Sequence, residues 1–283
     1  MSAHDPLLPH RNAIDEIDAA VLRLLNERAG HARAIGELKG TGVVYRPERE
    51  AEVLRRIQSL NTGPLPGEAV ARLFREIMSE CLAVERPLTI AYLGPAGTFT
   101  QQAAIKHFGH AAHTQACTTI DECFRMVEAR RADYVVAPVE KSAEGSVGRT
   151  LDLLSVSPLQ ACGEVVLRIH HHLLRKDHAQ MAGISKVYAH AQALAQCHDW
   201  LSRHLPDAVC ISVSSNAEAA RLAAQSGEAG VAAIAGQSAA EIYQLVKVAE
   251  NIEDEPNNTT RFLVLGHQDT APTGRDKTSL VIS

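Results

Sequence analysis

Apolar positions in the first 88 residues recur at helical spacing. Ile14, Ile17, Val21 and Leu24 follow a 3-4-3 pattern, and the same stripe reaches Ile35. Glycines near position 40 predict the end of this long first helix. We expect a second helix from Pro47 to about residue 60 and a third over 68–84, after a Pro- and Gly-rich turn. Three such helices enclose little core alone, which favours an intertwined dimer.

The pattern changes near residue 88 to short apolar runs, each followed by a helical stretch. This alternation predicts an α/β domain with a largely parallel sheet and ligands at its strand ends. Ser215 and Glu218 form a capping-box pattern at the start of one helix. The predicted strands cover 88–93, 134–139, 165–174, 186–189, 209–213, 231–235 and 262–265.

Composition narrows the class of protein. The 283 residues are 46% hydrophobic and 22% charged, with a net charge of −5, which is typical of a globular protein and disfavours a general nucleic-acid or membrane-surface binder. No apolar run approaches the roughly 20 residues of a membrane span, and the first residues lack a secretory pattern. We therefore expect a cytoplasmic protein.

The cysteines and histidines do not form a metal-binding pattern. The six cysteines are scattered and read as reduced, mostly buried thiols. His170, His171 and His172 invite a metal interpretation, but a third ligand at familiar spacing is missing. We interpret them as ordinary strand histidines and expect neither a metal nor a cofactor.

Cations on the first helix are candidates for binding an anion. Arg28 continues the apolar spacing, and Lys39 lies about 20° around the helix and about 16 Å further along it. Two long side chains at that distance can converge on one small anion. Arg11 lies roughly 100° off this face and would more easily reach a partner chain. From spacing alone, a ligand site and an internal salt bridge with Glu27, Glu50 or Glu85 are equally favoured.

A resemblance decides between these alternatives. Arg11, Arg28, Lys39, the pair Arg49-Glu50, and Glu85 resemble the active-site set of the all-helical chorismate mutases over residues 7–86. The resemblance implies rearrangement of chorismate to prephenate in a helical homodimer, with Arg11 supplied by one subunit and the other ligands by its partner. Lys39 would donate to the breaking ether oxygen, and Glu50 would accept from the ring hydroxyl.

Three positions depart from the best-known pattern of that family. Arg46 replaces an aspartate, Cys81 a serine, and Glu85 a glutamine that donates to the ether oxygen. A carboxyl group donates only when it is protonated, so we expect mutase activity to favour acidic pH.

The α/β part carries four short motifs, each of which is more often structural than functional when taken alone. In the second of them Glu140 would sit at a cleft edge, or equally on a solvated turn. In the last, Thr260 and Arg261 would point to opposite sides if the segment is extended. The motifs are Gly94-Pro-Ala-Gly-Thr-Phe-Thr100, Pro138-Val-Glu-Lys-Ser-Ala-Glu-Gly145, His190-Ala-Gln-Ala-Leu-Ala-Gln-Cys197 and Asn258-Thr-Thr-Arg-Phe262.

In this order the motifs resemble those of the prephenate dehydratases over residues 88–267. Together with the mutase-like helices, they identify the chain as a member of the bifunctional chorismate mutase/prephenate dehydratases of phenylalanine biosynthesis. By this resemblance the α/β part has two subdomains like a periplasmic binding protein, about 89–165 plus 248–267 and about 166–247. Thr260 would donate to the leaving hydroxyl, with a proton relay from Glu140. The implied substrate-binding residues are Thr98, Thr100, Glu140, Ser142, Gln192, Asn258, Thr260 and Arg261.

The α/β part also departs from its family. Lys141 stands where asparagine is usual, and Ala189 and Ala191 replace a serine and a proline beside His190. Lys141 could lower the pKa of Glu140 or clash with substrate. A mutase-only enzyme, a dehydratase that uses arogenate, and a small-carboxylate sensor therefore stay open as alternatives.

The last residues resemble the start of another domain. Residues 268–283 read as a linker followed by the first strand of an ACT domain, the phenylalanine sensor of the family. We expect no high-affinity inhibition by phenylalanine.

Overall fold

The computed structural model describes residues 5–40, 45–176 and 180–278. They divide into two compact units. The first unit is residues 1–88 with the short pieces 108–112 and 271–276, and the second is the rest of the chain. Across the described residues, none of the helices combines the length and the apolar composition that a membrane span requires.

The first unit is made of three helices, with the bounds that the sequence predicts to within a residue or two. They are α1 (Leu8–Lys39), α2 (Pro47–Leu60) and α3 (Gly67–Glu85). Gly40 follows α1 at φ 58°, and its N–H donates to the carbonyl of Gly36. Pro47 stands in the first turn of α2, where its missing N–H costs nothing.

The apolar stripe of α1 faces outward in the single chain. Ile14, Ile17, Val21 and Leu24 are each exposed by 47–60%, and α1 has no buried residue. Every large apolar side chain left in water forgoes about 1.5–3 kcal/mol of burial free energy. A further surface is therefore needed to cover this face.

The second unit contains two mixed sheets. The strand order of the first sheet is β2-β1-β3-β11-β5, with β4 added beside β3. The pairs β1–β2 and β1–β3 are parallel, whereas β11 runs antiparallel to both neighbours. The strands are β1 (Thr89–Leu93), β2 (His113–Cys117), β3 (Tyr134–Lys141), β4 (Gly145–Ser146), β5 (Gln160–Arg168) and β11 (Thr259–Gly266); the helices are α4 (Phe99–Phe108), α5 (Ile120–Glu128) and α6 (Gly148–Val156).

The second sheet has the order β10-β6-β9-β7-β8 and is also half parallel. Strands β7, β8 and β9 are parallel, and β6 and β10 are antiparallel to their neighbours. Strand β9 is buried along its whole length. The elements are β6 (His172–Arg175), β7 (Lys186–His190), β8 (Val209–Val213), β9 (Val231–Ala235), β10 (Val246–Ala249), α7 (Ala191–Gln196), α8 (His198–His204), α9 (Asn216–Gln225) and α10 (Gln237–Ile242).

The helical unit followed by a two-part α/β unit confirms the predicted fold class, but the expectation of a largely parallel sheet is wrong. The chain leaves the first sheet after β5 and returns to it only with β11. This returning strand enters between β3 and β5 in the reverse direction. Antiparallel pairs result at the centre of the sheet.

Several predicted elements have different bounds. The strand expected over 165–174 is two strands in different sheets, β5 and β6, separated by Ile169–His171. The boundary expected at 165/166 therefore falls inside β5. Part of the ACT-like strand, residues 279–283, lies outside the described residues, and residues 276–278 are not in a strand.

Candidate active sites

The first candidate site is a cavity of about 430 Å³ in the helical unit. All three helices contribute to it, because α1 and α2 both pack against α3. Arg11 does not line this cavity; its guanidinium pairs with Asp5 at 3.1 Å on the exposed start of the chain. The predicted residues that do line it are Arg28, Lys39, Arg46, Arg49, Glu50, Cys81 and Glu85.

Lys39 and Glu85 meet inside this cavity. The ammonium group of Lys39, at the end of α1, donates to Oε1 of Glu85 on α3 over 3.2 Å. The Glu85 side chain is only 6% exposed, against 30% for Lys39. Gly36 lies one turn before Lys39, and a Cβ there would collide with the Glu85 side chain. The glycine therefore allows Glu85 to reach the first helix.

Glu50 is the second carboxylate of the cavity. It pairs with Arg75 of α3 at 3.4 Å and accepts a hydrogen bond from the hydroxyl of Tyr45. Burial raises the pKa of the Glu50 carboxyl, and Arg75 and Tyr45 oppose this effect without cancelling it. Glu50 is therefore an acceptor that two donors hold in place.

The balance of charge in the cavity favours an anion with more than one negative group. The lining includes five permanent cations and only two carboxylates. Arg56 was not predicted, although it stands seven residues after Arg49 and so shares its helix face. The five cations are Arg28, Lys39, Arg46, Arg49 and Arg56.

The second candidate site is a cleft of about 730 Å³ between the two sheets of the α/β unit. Its walls come from the ends of strands in both sheets and from the first residues of α4 and α9, where unpaired backbone N–H groups favour anions. The predicted residues that line it are Thr98, Thr100, Gln192, Asn258 and Thr260.

Glu140 and Arg261 do not line this cleft, although the resemblance places both among the substrate-binding residues. Arg261 points away from Thr260, as an extended segment predicts. Arg261 pairs with Glu140 in the β3–β11 ladder, as Thr260 pairs with Lys141. Because neighbours along a strand point to opposite faces, Thr260 and Lys141 enter the cleft while Arg261 and Glu140 leave it. The Arg261 guanidinium binds Glu140 at 3.0 Å and Glu164 at 3.2 Å.

Ser142 also lies outside this cleft. It lines a neighbouring cavity of about 540 Å³, and its hydroxyl accepts from the backbone N–H of Thr259 at 2.9 Å. Ser142 therefore fixes the start of β11 one residue before Thr260.

His171 lines the cleft, although the sequence suggested an ordinary strand histidine; it lies between β5 and β6 and belongs to neither strand. It is 2% exposed and donates through Nε2 to Oε1 of Gln196 at 2.8 Å; Nδ2 of Asn258 donates to the same oxygen at 3.1 Å. Burial lowers the pKa of His171, which keeps the ring neutral. The only signal in the sequence is its place in the three-histidine run. This network holds Asn258 and Gln196 in fixed positions beside Thr260.

The two flanking histidines have structural partners. His170 Nδ1 lies 2.7 Å from Glu253, and His172 Nδ1 accepts from the backbone N–H of Asn251 at 3.2 Å. Among the described residues, no group of three His, Cys, Asp or Glu side chains is arranged to hold a metal ion.

Lys141 crosses the cleft. Its ammonium group donates to Oε1 of Gln192 in the second part of the unit at 2.9 Å and to Glu144 at 2.9 Å. Among the described residues that line the cleft, Lys141 is the one lysine or arginine, and there is no aspartate or glutamate. Its position in the cleft, away from Glu140, gives it no direct contact with that carboxylate.

The loop before α4 is shaped by its own hydrogen bonds. The Gly97 N–H donates to Oε1 of Gln101 at 2.7 Å, and the Thr98 hydroxyl donates to the carbonyl of Leu93 at 3.0 Å. These two donors are therefore used within the loop. Gly97 has φ +89°, a conformation that L side chains rarely adopt.

Comparison with known protein families matches both units. The model of the chorismate mutase type II family matches residues 10–86, and the model of the prephenate dehydratase family matches residues 90–270.

Curated relatives extend over both units at once. A bifunctional chorismate mutase/prephenate dehydratase of Neisseria gonorrhoeae is 76% identical over 98% of this chain and 76% of its own length. A protein of the same name from Pseudomonas aeruginosa is 51% identical over 100% of this chain and 79% of its own length. A solved prephenate dehydratase from Arthrobacter aurescens, in complex with L-Phe, is 31% identical with a TM-score of 0.61, over 68% of this chain and 63% of that one.

Proposed function

This chain belongs to the bifunctional chorismate mutase/prephenate dehydratase family, and from that premise we propose that its two cavities carry out the two reactions in turn. The chain is an enzyme of phenylalanine biosynthesis, and its substrates are chorismate and prephenate. One observation supports the assignment of one reaction to each cavity, namely the different chemistry of the residues that line them. One cavity is rich in cations and the other presents a buried threonine hydroxyl beside one lysine.

The helical cavity suits the rearrangement of chorismate. This pericyclic step needs no nucleophile and no proton transfer, only a folded substrate and stabilisation of charge on the breaking ether oxygen. Arg28, Arg46 and Arg49 supply donors for the two carboxylates, since arginine grips carboxylates in a bidentate manner. Lys39 donates to the ether oxygen, and Glu50 accepts from the ring hydroxyl. Holding the reactive geometry supplies several kcal/mol of the barrier reduction.

We propose that the site is completed by a second copy of this chain. Arg11 stands 17 residues before Arg28 on the same helix, about 25 Å away along its axis. It therefore cannot reach the cavity of its own chain. The exposed apolar stripe on α1 lies between these two residues. A partner helix that covers this stripe in the antiparallel sense would bring its own Arg11 to the cavity.

The cleft suits the conversion of prephenate to phenylpyruvate. Electrons of the breaking bond to the ring carboxylate move into the ring, carbon dioxide leaves, and the hydroxyl group departs as hydroxide while the ring becomes aromatic. The Thr260 hydroxyl donates a hydrogen bond to the departing oxygen. Asn258, which Gln196 and Ser142 hold, orders the substrate beside it. A relay from Glu140 is not part of this proposal, because that carboxylate lies on the other face of the sheet.

Arg261 acts in this proposal as a positioning residue for β11. Its pairs with Glu140 on β3 and Glu164 on β5 tie the strand to both neighbours. Burial raises the pKa of Glu164, but hydrogen bonds from Lys277 and Arg261 outweigh burial and lower it. The ionised form of Glu164 is thereby favoured, and Thr260 on the same strand is held in register.

One assay tests both activities. Purified protein is incubated with chorismate, and chorismate, prephenate and phenylpyruvate are followed together. Phenylpyruvate that appears after prephenate supports both assignments. Prephenate that accumulates without phenylpyruvate contradicts the dehydratase assignment and favours the mutase-only alternative. No consumption of chorismate favours a sensor.

Substitution of Thr260 by alanine separates the two sites. We expect Thr260→Ala to lose dehydratase turnover by about 100-fold or more, the usual cost of removing a positioned proton donor, while mutase activity is unchanged. Thr260→Ser keeps the hydroxyl and is the matched control. Phenylpyruvate formation at the wild-type rate by Thr260→Ala would end this assignment.

Three further expectations from the sequence stay predictions. Insensitivity to phenylalanine is checked by titrating phenylalanine into the dehydratase assay, where inhibition at micromolar concentrations contradicts it. Cytoplasmic location and the absence of nucleic-acid binding are checked by fractionation and by a filter-binding assay.

A further inference from the structure

The position of Lys141 relative to Thr260 is fixed by the β3–β11 ladder. The two residues are direct partners in the antiparallel register. Side chains of directly opposed residues lie on the same face of a sheet with Cβ atoms about 4.5–5.5 Å apart. Both line the cleft cavity. Lys141 therefore stands next to the hydroxyl that we assign to the departing oxygen.

Lys141 differs from the other described residues that line the cleft in carrying a permanent charge. Prephenate carries two carboxylates, yet Lys141 is the one permanent cation among the described lining residues. His171 stays neutral there because burial lowers its pKa. The remaining polar lining consists of hydroxyl and amide groups and of His190. A dianion in this cleft has one charged partner.

The present partners of Lys141 can be replaced. Its pair with Glu144 is exposed, with 47% of the Glu144 side chain in solvent, and such pairs contribute about 0–1 kcal/mol. Gln192 is a neutral acceptor on the second part of the unit. An ammonium group has three donors. A substrate carboxylate can take the place of Glu144 while the bond to Gln192 is kept.

We propose that Lys141 binds the side-chain carboxylate of prephenate and selects a keto acid over an amino acid. The side-chain carboxylate keeps its charge throughout the reaction, so a cation beside it stabilises bound substrate and transition state equally. The ring carboxylate instead loses its charge as carbon dioxide, and a cation there would hold back the reaction. Arogenate carries an ammonium group next to the same carboxylate, which Lys141 repels. This inference rests on the proposed dehydratase function.

The test compares Lys141→Gln with Lys141→Arg in the full chain. We expect Lys141→Gln to raise KM for prephenate at least about tenfold, as expected for loss of a charged hydrogen bond, and to leave kcat within about twofold. The ratio of kcat/KM for prephenate over that for arogenate should fall. Lys141→Arg should retain most of both properties. Lys247→Gln, which removes a half-buried lysine paired with Glu250 outside the cleft, is the control and should change neither.

A product titration decides which carboxylate Lys141 meets. Phenylpyruvate keeps the side-chain carboxylate and lacks the ring carboxylate. Its inhibition constant should rise in Lys141→Gln by the same factor as KM. An unchanged inhibition constant with a raised KM places the lysine at the ring carboxylate and overturns the proposal. An unchanged KM also overturns it.

Failure of this proposal can be told apart from failure of the proposed function. If wild-type protein forms no phenylpyruvate from prephenate, the dehydratase function itself is wrong. If the wild type is active and Lys141→Gln has the same KM and the same substrate preference, only the role of Lys141 is wrong. A kcat for prephenate close to that of the wild type reports that the α/β unit of each variant is folded.

Discussion

Glu85 is the residue whose replacement tests the donor set of the mutase site. Its carboxylate accepts from Lys39 at 3.2 Å, whereas the resemblance puts a donor to the ether oxygen at this position. Glu85→Gln supplies an amide donor there, so we expect a higher mutase rate than in the wild type. The measurement is chorismate loss by both proteins at neutral pH.

We assign to Glu50 the pH dependence of the mutase rate at acidic pH. Burial raises the pKa of Glu50 above its usual 4.5, and the ionised form is the stronger acceptor for the ring hydroxyl. As the pH falls through this raised pKa, the rate should drop in the wild type and in Glu85→Gln alike. A mutase rate of Glu85→Gln that is equal to or below that of the wild type contradicts a donor role at position 85.

The sequence predicts single residues well where one helix face or one motif determines them. Arg28 and Lys39 share a face by spacing, and both line the helical cavity. The resemblance placed Glu140 and Arg261 with the substrate, because a motif match does not say which face of a strand meets the cleft. The role of His171 was missed because its partner Gln196 lies 25 residues away along the chain. Asn258, which bonds the same oxygen of Gln196, lies 62 residues beyond Gln196. Contacts of that range depend on the tertiary fold.

At the scale of elements, the loop from β1 to α4 depends on one glycine. Gly97 has φ +89°, and a Cβ there would approach the Cα of Ala239 to 3.0 Å. A left-handed conformation costs an L residue about 1–2 kcal/mol, and the backbone at Ala239 cannot move as a side-chain end does. We expect Gly97→Ala to lower both dehydratase kcat/KM and the thermal midpoint of the α/β unit.

The control for this substitution is Gly148→Ala. Gly148 opens α6, has no atom within 4 Å of a Cβ placed there and has no positive φ. Its replacement should leave dehydratase activity and the thermal midpoint close to those of the wild type. Equal activity of Gly97→Ala and Gly148→Ala would mean that the loop tolerates a side chain and adapts around it.

The sequence predicted helix ends accurately where a glycine or proline marks them. It did not predict a strand that consists mostly of polar residues. Pro47 and Gly40 fix helix ends locally, independently of the rest of the fold. Strand β2, His113–Cys117, was not predicted, because it is a largely exposed edge strand and lacks an apolar run. The predicted capping box at Ser215 is half formed. Its hydroxyl accepts from the N–H of Glu218, whose carboxylate binds Arg221 instead.

At the scale of the whole molecule, the proposed shared site predicts complementation between two inactive variants. Arg11→Ala and Arg28→Ala should each lose most mutase activity. After the subunits exchange, half of the dimers are mixed, and each mixed dimer has one intact site. The mixture should therefore recover about a quarter of wild-type activity, if the dimer is symmetric. The dehydratase activity of both variants should stay at the wild-type level.

A second mixture is the control. Arg28 and Lys39 lie in the same cavity of one chain, so a mixture of Arg28→Ala with Lys39→Ala should recover nothing. Recovery in neither mixture would contradict a site that contains Arg11 of a partner chain. Sedimentation of the wild type and of Val21→Glu, which puts a charge into the exposed apolar stripe, reports separately whether that stripe holds the dimer.

The position of β11 between β3 and β5 also determines the order in which the two sheets can form during synthesis of the chain. All strands of the second sheet lie within residues 172–249, so that sheet can form while the chain is still being synthesised. The first sheet cannot, because β3 and β5 become joined only when residues 259–266 leave the ribosome and enter between them. Pairing over such separations is slow and leaves strand edges exposed meanwhile. Since β11 also carries Thr260, the first sheet and its catalytic hydroxyl are completed in the same event.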